Sequence, residues 1–173
     1  MKWLIPLIFA ALLSPAAARA EMALFEHAES GISIQHPKDW QPAEGQQAGV
    51  VARFITPLDG ESDKYQEEFT IKVLEMNQTA DVNELVDAIK PGLAQGLPGY
   101  VEKSDDQASI AGLPGRKIVS EVSTQFSPIR ATQWFVVKNT KLYIITLNAT
   151  PATFEQLKPY GQAMIESLKI ESK

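Results

Sequence analysis

The chain has 173 residues, none of them cysteine, and a formal net charge of −5 at pH 7. The lack of cysteine excludes disulfides, thiol catalysis and cysteine-based metal sites. The acidic balance argues against nucleic acid or anionic lipid as the main partner, because both attract clustered Lys and Arg.

The first twenty residues have the pattern of a signal peptide. Lys2 supplies the positive charge, residues 3–13 form an apolar run, and Ala18 and Ala20 are the small residues of a cleavage site. We expect cleavage near Ala20 and a periplasmic or secreted protein. No later stretch is apolar over the roughly 20 residues that a membrane span needs, so we expect no membrane span after cleavage.

The remaining chain is predicted to be one domain over residues 31–173, preceded by an N-terminal extension over residues 21–30. Apolar and polar side chains alternate along residues 31–36, which is the period of a half-buried strand. Two further strands are expected over residues 49–57 and 68–76.

A helix is predicted to follow these strands. Asp81 has the position of an N-cap, and Glu84 three residues later completes the pattern of a capping box. We expect Pro91 and Gly92 to bend or end the helix. The apolar residues at helical spacing are Val82, Leu85, Val86, Ile89 and Leu93.

The second half of the chain is predicted to return to strands and then to end in a helix. A hairpin turn is expected at Asn139 and Thr140, because Asn tolerates the positive φ that a tight turn requires. The expected strands cover residues 100–103, 107–110, 116–125, 129–138 and 141–149.

The C-terminal helical region is expected to open with Thr150 as N-cap and Pro151 as the first helical residue. Pro159 would clash inside a continuous helix, so we predict a short turn up to Lys158 and a main helix from Pro159. Gly161 is predicted to lie on the inward face, where the missing side chain lets helix and sheet approach closely. With about seven strands and no alternation of strands with helices, the fold class is α+β, a mainly antiparallel sheet flanked by helices.

Several short motifs resemble PsbP-like domains, a family that also resembles the DcrB-like envelope proteins. They are the strand Gly31-Ile32-Ser33-Ile34 running into His36-Pro37-Lys38-Asp39-Trp40, the strand at residues 142–147, the link from Ala149-Thr150-Pro151 to Phe154, and the final segment at residues 165–170. The resemblance implies an α-β-α sandwich. It also implies a relationship to PsbP, an extrinsic lumenal subunit that helps photosystem II to retain calcium and chloride. This chain lacks the long basic arm of the plant proteins and the lipid-bearing cysteine of the cyanobacterial ones.

Catalytic and metal motifs are sparse in the sequence. The chain has only two histidines and no G-x-S-x-G elbow that would strain a serine into an attacking position. No metal site and no cofactor are predicted. The residues that come nearest to a metal site are His27, His36, Asp59 and Asp63, but the acidic loop lacks the glycine and the glutamate of a calcium-binding loop.

The best surface candidate for a partner comprises Arg130 and Trp134, together with Arg53 and Trp40. Alternation along residues 129–138 places Arg130 and Trp134 on one face of a strand, and this face is a binding surface if it is open. The alternative is that both tryptophans pack in the core and the arginines pair with local carboxylates. We therefore predict a monomeric, non-enzymatic exported accessory protein that binds a protein partner in the cell envelope, for instance a membrane complex. The alternative is a periplasmic module that binds a small molecule or a metal, and the third hypothesis is an enzyme.

Overall fold

The computed structural model describes residues 20–43, 47–58, 60, 65–125 and 127–171. Residues 1–19, which hold most of the predicted signal peptide, lie outside the described residues. In chain order the elements are β1 (Met22–His27), β2 (Ile32–Pro37), β3 (Gln41–Pro42), β4 (Val50–Ile55), β5 (Glu68–Glu75), α1 (Val82–Gly96), β6 (Val101–Ile110), β7 (Leu113–Ser123), β8 (Pro128–Lys138), β9 (Lys141–Ala149), α2 (Phe154–Ser167) and β10 (Lys169–Ile170).

The strands form two antiparallel sheets. Seven strands, in the order β3-β4-β5-β9-β8-β7-β6, make the large sheet. The small sheet has the order β1-β2-β10. Two hairpin turns of the large sheet use left-handed backbone, at Asn139 with φ 57° and at Ala111 and Gly112 with φ 51° and 76°. The prediction for Asn139 is therefore confirmed.

One face of the large sheet is covered by α2 and the small sheet. Strand alternation sends Phe69 and Ile71 of β5, and Ile145 and Leu147 of β9, into this core, and each of them is fully buried. Met164 of α2 completes the contact from the helix side. Because almost every side chain in this layer is apolar, hydrophobic burial holds it together.

The opposite face of the large sheet carries α1. Val82 and Val86 are the buried residues of this helix, and they pack on Ile118, Phe135 and Leu142. Along β8, Trp134 belongs to the α2 core and Phe135 to the α1 core. Consecutive residues of a strand point to opposite faces, so the two helices sandwich the large sheet.

A network of charges adds to the small apolar contact of α1. Asp105 of β6 accepts two hydrogen bonds from the Arg116 guanidinium of β7, at 2.5 and 2.7 Å. Lys90 of α1 reaches both Asp105, at 2.5 Å, and Glu102, at 2.9 Å. Arg116 also lies 3.2 Å from Asp87 of α1. The helix is thus fastened to one edge of the sheet by ion pairs.

The predicted fold class, an antiparallel sheet between helices, is confirmed. Neither helix in the described part of the chain is long and apolar enough to cross a membrane.

The first strand begins earlier than residue 31, because Met22–His27, within the predicted N-terminal extension, forms β1 and pairs along its whole length with β2. Its sequence, MALFEH, lacks the alternation of a half-buried strand, so the pairing with β2 decides its conformation. The two strands predicted at residues 100–103 and 107–110 are one strand, β6, with an irregularity between Glu102 and Ser104.

The helix boundaries also differ from the prediction. The N-cap of α2 is Thr153, and Thr150 accepts a hydrogen bond from the Thr153 N–H in the turn before the helix. Pro159 lies inside α2, where it removes a single intrahelical bond close to the helix start. Pro91 likewise lies inside α1, which continues to Gly96.

Two local predictions are confirmed by side-chain geometry. The Asp81 carboxylate accepts hydrogen bonds from the N–H groups of Asn83, at 2.8 Å, and Glu84, at 3.2 Å, as an N-cap does. Gly161 faces the sheet, and a Cβ at this position would lie 2.8 Å from Leu147 Cδ2 and 3.5 Å from the Trp134 ring. The missing side chain is what lets α2 approach the sheet.

Candidate functional site

The described residues cover the face of the large sheet beside α1 only in part. This helix packs mainly on β7 and β8. A helix is about 10 Å wide and covers roughly two strands, whereas seven strands at about 4.8 Å spacing span nearly 30 Å. The uncovered part is a concavity of about 810 Å³, which we call the sheet groove. Its floor holds Arg53, Glu68, Thr70, Gln133, Thr146 and Asn148, and its apolar side holds Leu93, Leu97, Val122, Ile129 and Ile144.

The alternation of β5 and β9 explains why the floor is polar. Phe69 and Leu147 point into the α2 core, so the adjacent Glu68, Thr70 and Thr146 must point to the other face. The leucine side chains of the groove come from Leu93 in the last turn of α1 and from its C-cap residue Leu97, which is 38 % exposed. The groove therefore places an apolar side next to a floor of hydrogen-bonding groups.

Glu68 is the electrostatic centre of the floor. Arg53 Nε donates a hydrogen bond to one carboxylate oxygen at 2.7 Å, and Asn148 Nδ2 donates to the other at 3.3 Å. Burial, followed by the charges of Glu68 and Glu67, raises the pKa of Tyr65 to about 12. At neutral pH the floor therefore presents a protonated phenol beside a paired Arg–Glu couple, without a large excess of either charge.

A second concavity of about 680 Å³ lies where β1 faces the β3–β4 edge of the large sheet. Phe25, Val51 and Val73 supply apolar lining, while Glu75 and Lys141 form an ion pair of 3.1 Å at the same opening. We call it the edge cleft.

The four residues predicted as a partner surface are not brought together. Trp40 and Trp134 are each 3 % exposed, so both tryptophans pack in the core and the condition of an open face is not met at Trp134. Alternation along β8 did place Arg130 and Trp134 on one face, but α2 covers it. Arg130 donates to Glu121 at 3.1 Å and stands over the Phe154 ring. Of the four, Arg53 lies in the sheet groove, and the role of these residues in partner binding stays a prediction.

The two histidines named as the nearest approach to a metal site are also separated. His27 lies opposite Ile32 in the β1–β2 register and contacts Ser30 Oγ at 2.8 Å. His36 is four residues beyond Ile32 along β2, so the two histidine positions are about 13 Å apart at the rise of a strand. The His36 ring is stacked on Phe54. Asp59 and Asp63 lie outside the described residues. Within the described residues there is no group of three or more His, Asp or Glu side chains placed to hold a metal ion.

Sequence reasoning missed the sheet groove as a site. Arg53, Glu68 and Asn148 are far apart in the chain and meet because β5 lies between β4 and β9. The sequence does contain one signal, which is the polar residues at alternate positions of two otherwise apolar strands. This signal indicates that one face of these strands is exposed, but it does not show which residues of other strands lie beside them.

Solved structures from three sources share this fold. CyanoP, the cyanobacterial PsbP of Synechocystis sp. PCC 6803, is 13 % identical with a TM-score of 0.62, over 91 % of this chain and 97 % of that one. LpqN, involved in cell envelope biogenesis of Mycobacterium tuberculosis, is 14 % identical with a TM-score of 0.61, over 88 % and 91 %. The Ran-binding protein Mog1p of Saccharomyces cerevisiae is 10 % identical with a TM-score of 0.59, over 87 % and 96 %.

At such low identities these structures show the common fold alone. No curated protein sequence matches this chain. The sequence model of the family described as PsbP-like protein matches residues 14–170, which is nearly the whole chain. The chain therefore belongs to the PsbP-like protein family.

Proposed function

We propose that this chain is a non-enzymatic accessory protein of the cell envelope that binds a protein partner through the sheet groove. The observation that carries the proposal is the groove itself. Its volume of about 810 Å³ and its apolar side next to hydrogen-bonding side chains suit an inserted segment of another protein.

The family and the shared fold support a binding role. Mog1p is a Ran-binding protein and LpqN takes part in cell envelope biogenesis, so this architecture serves both a protein interaction and an envelope process. The signal-peptide pattern of residues 1–20 supports export of this chain. The relatives support the proposal by analogy, and the signal peptide supports it as a sequence pattern. The groove is its physical basis.

Site-specific photo-crosslinking in the native host tests the proposal. Benzoylphenylalanine replaces Leu97, at the edge of the sheet groove, and in a matched control it replaces Gln162, on the exposed side of α2. We expect one reproducible adduct from position 97 and none from position 162. A Leu97→Arg variant, which places a charge against the apolar side, should abolish an adduct formed from a probe at Gln133.

The same experiment can overturn the proposal. Equal adducts from positions 97 and 162, or an adduct that survives Leu97→Arg, would show that the groove is not the interface. The intact mass of the periplasmic protein tests export separately, because cleavage after Ala20 leaves a chain that begins at Glu21.

A second candidate function is a periplasmic small-molecule or metal-binding module. The edge cleft favours it, since about 680 Å³ is within the usual range of ligand pockets. Native mass spectrometry of the protein purified from its host distinguishes the two. A retained small ligand, lost when Val73 is changed to Trp to fill the cleft, would support this second function.

A further inference from the structure

A third cavity, of about 260 Å³, lies on the α2 side of the large sheet. Its lining includes Glu67, Trp40 and Tyr160, and we call it the Glu67 cavity. It shares no lining residue with the sheet groove. It is smaller than the roughly 300–1,000 Å³ of most ligand pockets, so it fits a single small chemical group.

Glu67 is a buried acid at this cavity, and the residue is 6 % exposed. Its carboxylate accepts hydrogen bonds from two neutral hydroxyls, Thr56 Oγ1 at 3.2 Å and Thr153 Oγ1. The Glu67 N–H in turn donates to Thr56 Oγ1 at 3.1 Å. These contacts fix the carboxylate in place and use two of its roughly four acceptor positions.

The charge of Glu67 has no cationic partner among the described residues. The arginine on the neighbouring strand, Arg53, pairs with Glu68, whose side chain lies on the other face of the sheet. Asp39 adds a second acidic side chain to the lining. A buried carboxylate without a cation loses its hydration without the compensating attraction, so this cavity attracts positive charge.

The other side chains of the cavity decide which kind of cation fits. Trp40 and Tyr160 lie with ring centroids 6.2 Å apart, and Leu157 adds an apolar contact. Aromatic faces attract organic cations, whereas a calcium ion needs six to eight oxygen ligands. One end of the ligand therefore meets a carboxylate and its carbon chain meets aromatic and aliphatic surface.

We propose that the Glu67 cavity binds an alkylammonium group, with the nitrogen at the Glu67 carboxylate and the alkyl chain against Trp40, Tyr160 and Leu157. The same chemistry is offered by a free primary amine and by a lysine side chain. The inference does not depend on the sheet groove, because the two sites lie on opposite faces of the large sheet.

Titration of the purified protein with n-butylammonium, followed by NMR of the tryptophan indole N–H groups, tests the proposal. Trp40 lines the cavity, and Trp134 in the sheet core is an internal control. We expect a saturable shift of the Trp40 resonance and no matching shift of Trp134. Neutral n-butanol, with the same carbon chain, should bind at least about tenfold more weakly, because it cannot pair with the carboxylate.

Variants and a second ligand sharpen the test. Glu67→Gln should weaken butylammonium binding by at least about tenfold, while Glu155→Gln, at an exposed acid of α2, should not change it. A blocked peptide with one central lysine distinguishes the sources: tighter binding than butylammonium indicates a protein lysine, and weaker binding indicates a free amine. Leu97→Arg should leave the affinity unchanged, which separates this site from the proposed partner site.

Three results would overturn the inference. They are the absence of a saturable Trp40 shift, equal affinity for butanol and butylammonium, and tighter binding of calcium chloride than of the amine. The comparison of the two ligands on the unaltered protein holds even if Glu67→Gln does not fold.

Discussion

The two faces of the large sheet differ in what covers them and in what holds the cover. The α2 face is closed by a helix and three strands, and its contacts are fully buried aromatic and aliphatic side chains such as Phe69 and Leu147. In the described part of the chain, the α1 face is covered over two strands only, by a helix with two buried valines and an ion-pair network centred on Asp105 and Arg116.

This difference separates the face that stabilises the fold from the face that we propose binds a partner. Burial of large apolar side chains contributes most of the favourable free energy of folding, and it is concentrated on the α2 face. Ion pairs near the surface contribute less, so the α1 face is free to keep an open groove. Variants of the two faces therefore test whether the division is real.

The largest effect is expected from neighbouring residues of β5. Phe69 is fully buried against α2, whereas Thr70 lies in the sheet groove. Phe69→Ala should lower the free energy of unfolding by about 3–5 kcal/mol, and Thr70→Ala by about 1 kcal/mol or less. Chemical denaturation measures both. Losses of similar size would mean that the two faces contribute equally, and the comparison would fail.

Features that depend on a few adjacent residues could be predicted from the sequence. The Asp81 cap, the left-handed Asn139 and the inward Gly161 each follow from the chemistry of one residue type in its local pattern. The alternation of β8 also grouped Arg130 with Trp134 correctly. The alternation does not show which face a helix covers, and for that reason the sequence left open whether Trp134 faces solvent or the core.

The sheet groove and the Glu67 cavity depend on strand order and on contacts between distant segments. Glu67 meets Thr153 from the start of α2, and no spacing in the sequence brings these two residues together. The strand β1 was missed for a related reason, because its pairing with β2 outweighs its irregular pattern. Long-range pairing is the part of the structure that local patterns do not specify.

An intermediate, pH-dependent effect is expected at the ion pairs of α1. The hydrogen bonds from Arg116, opposed in part by burial and assisted by Lys90, lower the pKa of Asp105. A lowered pKa means that the charged form stabilises the fold above the unfolded pKa of about 3.9, and that this stability is lost as the pH falls through the folded pKa. Asp105→Asn should therefore cost about 1.5–3 kcal/mol at pH 7.

Denaturation of Asp105→Asn and of the unaltered protein at several pH values checks this prediction. The difference between them should be constant above pH about 5 and should shrink below pH about 4. Asp106→Asn, at the exposed neighbouring residue, is the matched control and should have little effect. A difference that persists undiminished under strongly acidic conditions would show that Asp105 acts through packing and not through its charge.

The smallest effect, and the one most specific to the comparison, is expected from one glycine in each helix. Gly92 of α1 has no atom within 4 Å of the position of a Cβ, whereas a Cβ at Gly161 of α2 would lie 2.8 Å from Leu147 Cδ2. Alanine favours a helix over glycine by about 0.8–1 kcal/mol, so Gly92→Ala should stabilise the protein by roughly that amount. Gly161→Ala gains the same propensity but must displace a buried leucine, and we expect a net loss of about 1 kcal/mol. Thermal and chemical unfolding of the two variants should thus shift in opposite directions. If both variants are stabilised, α2 is packed as loosely as α1, and the two faces do not differ in the way that the groove requires.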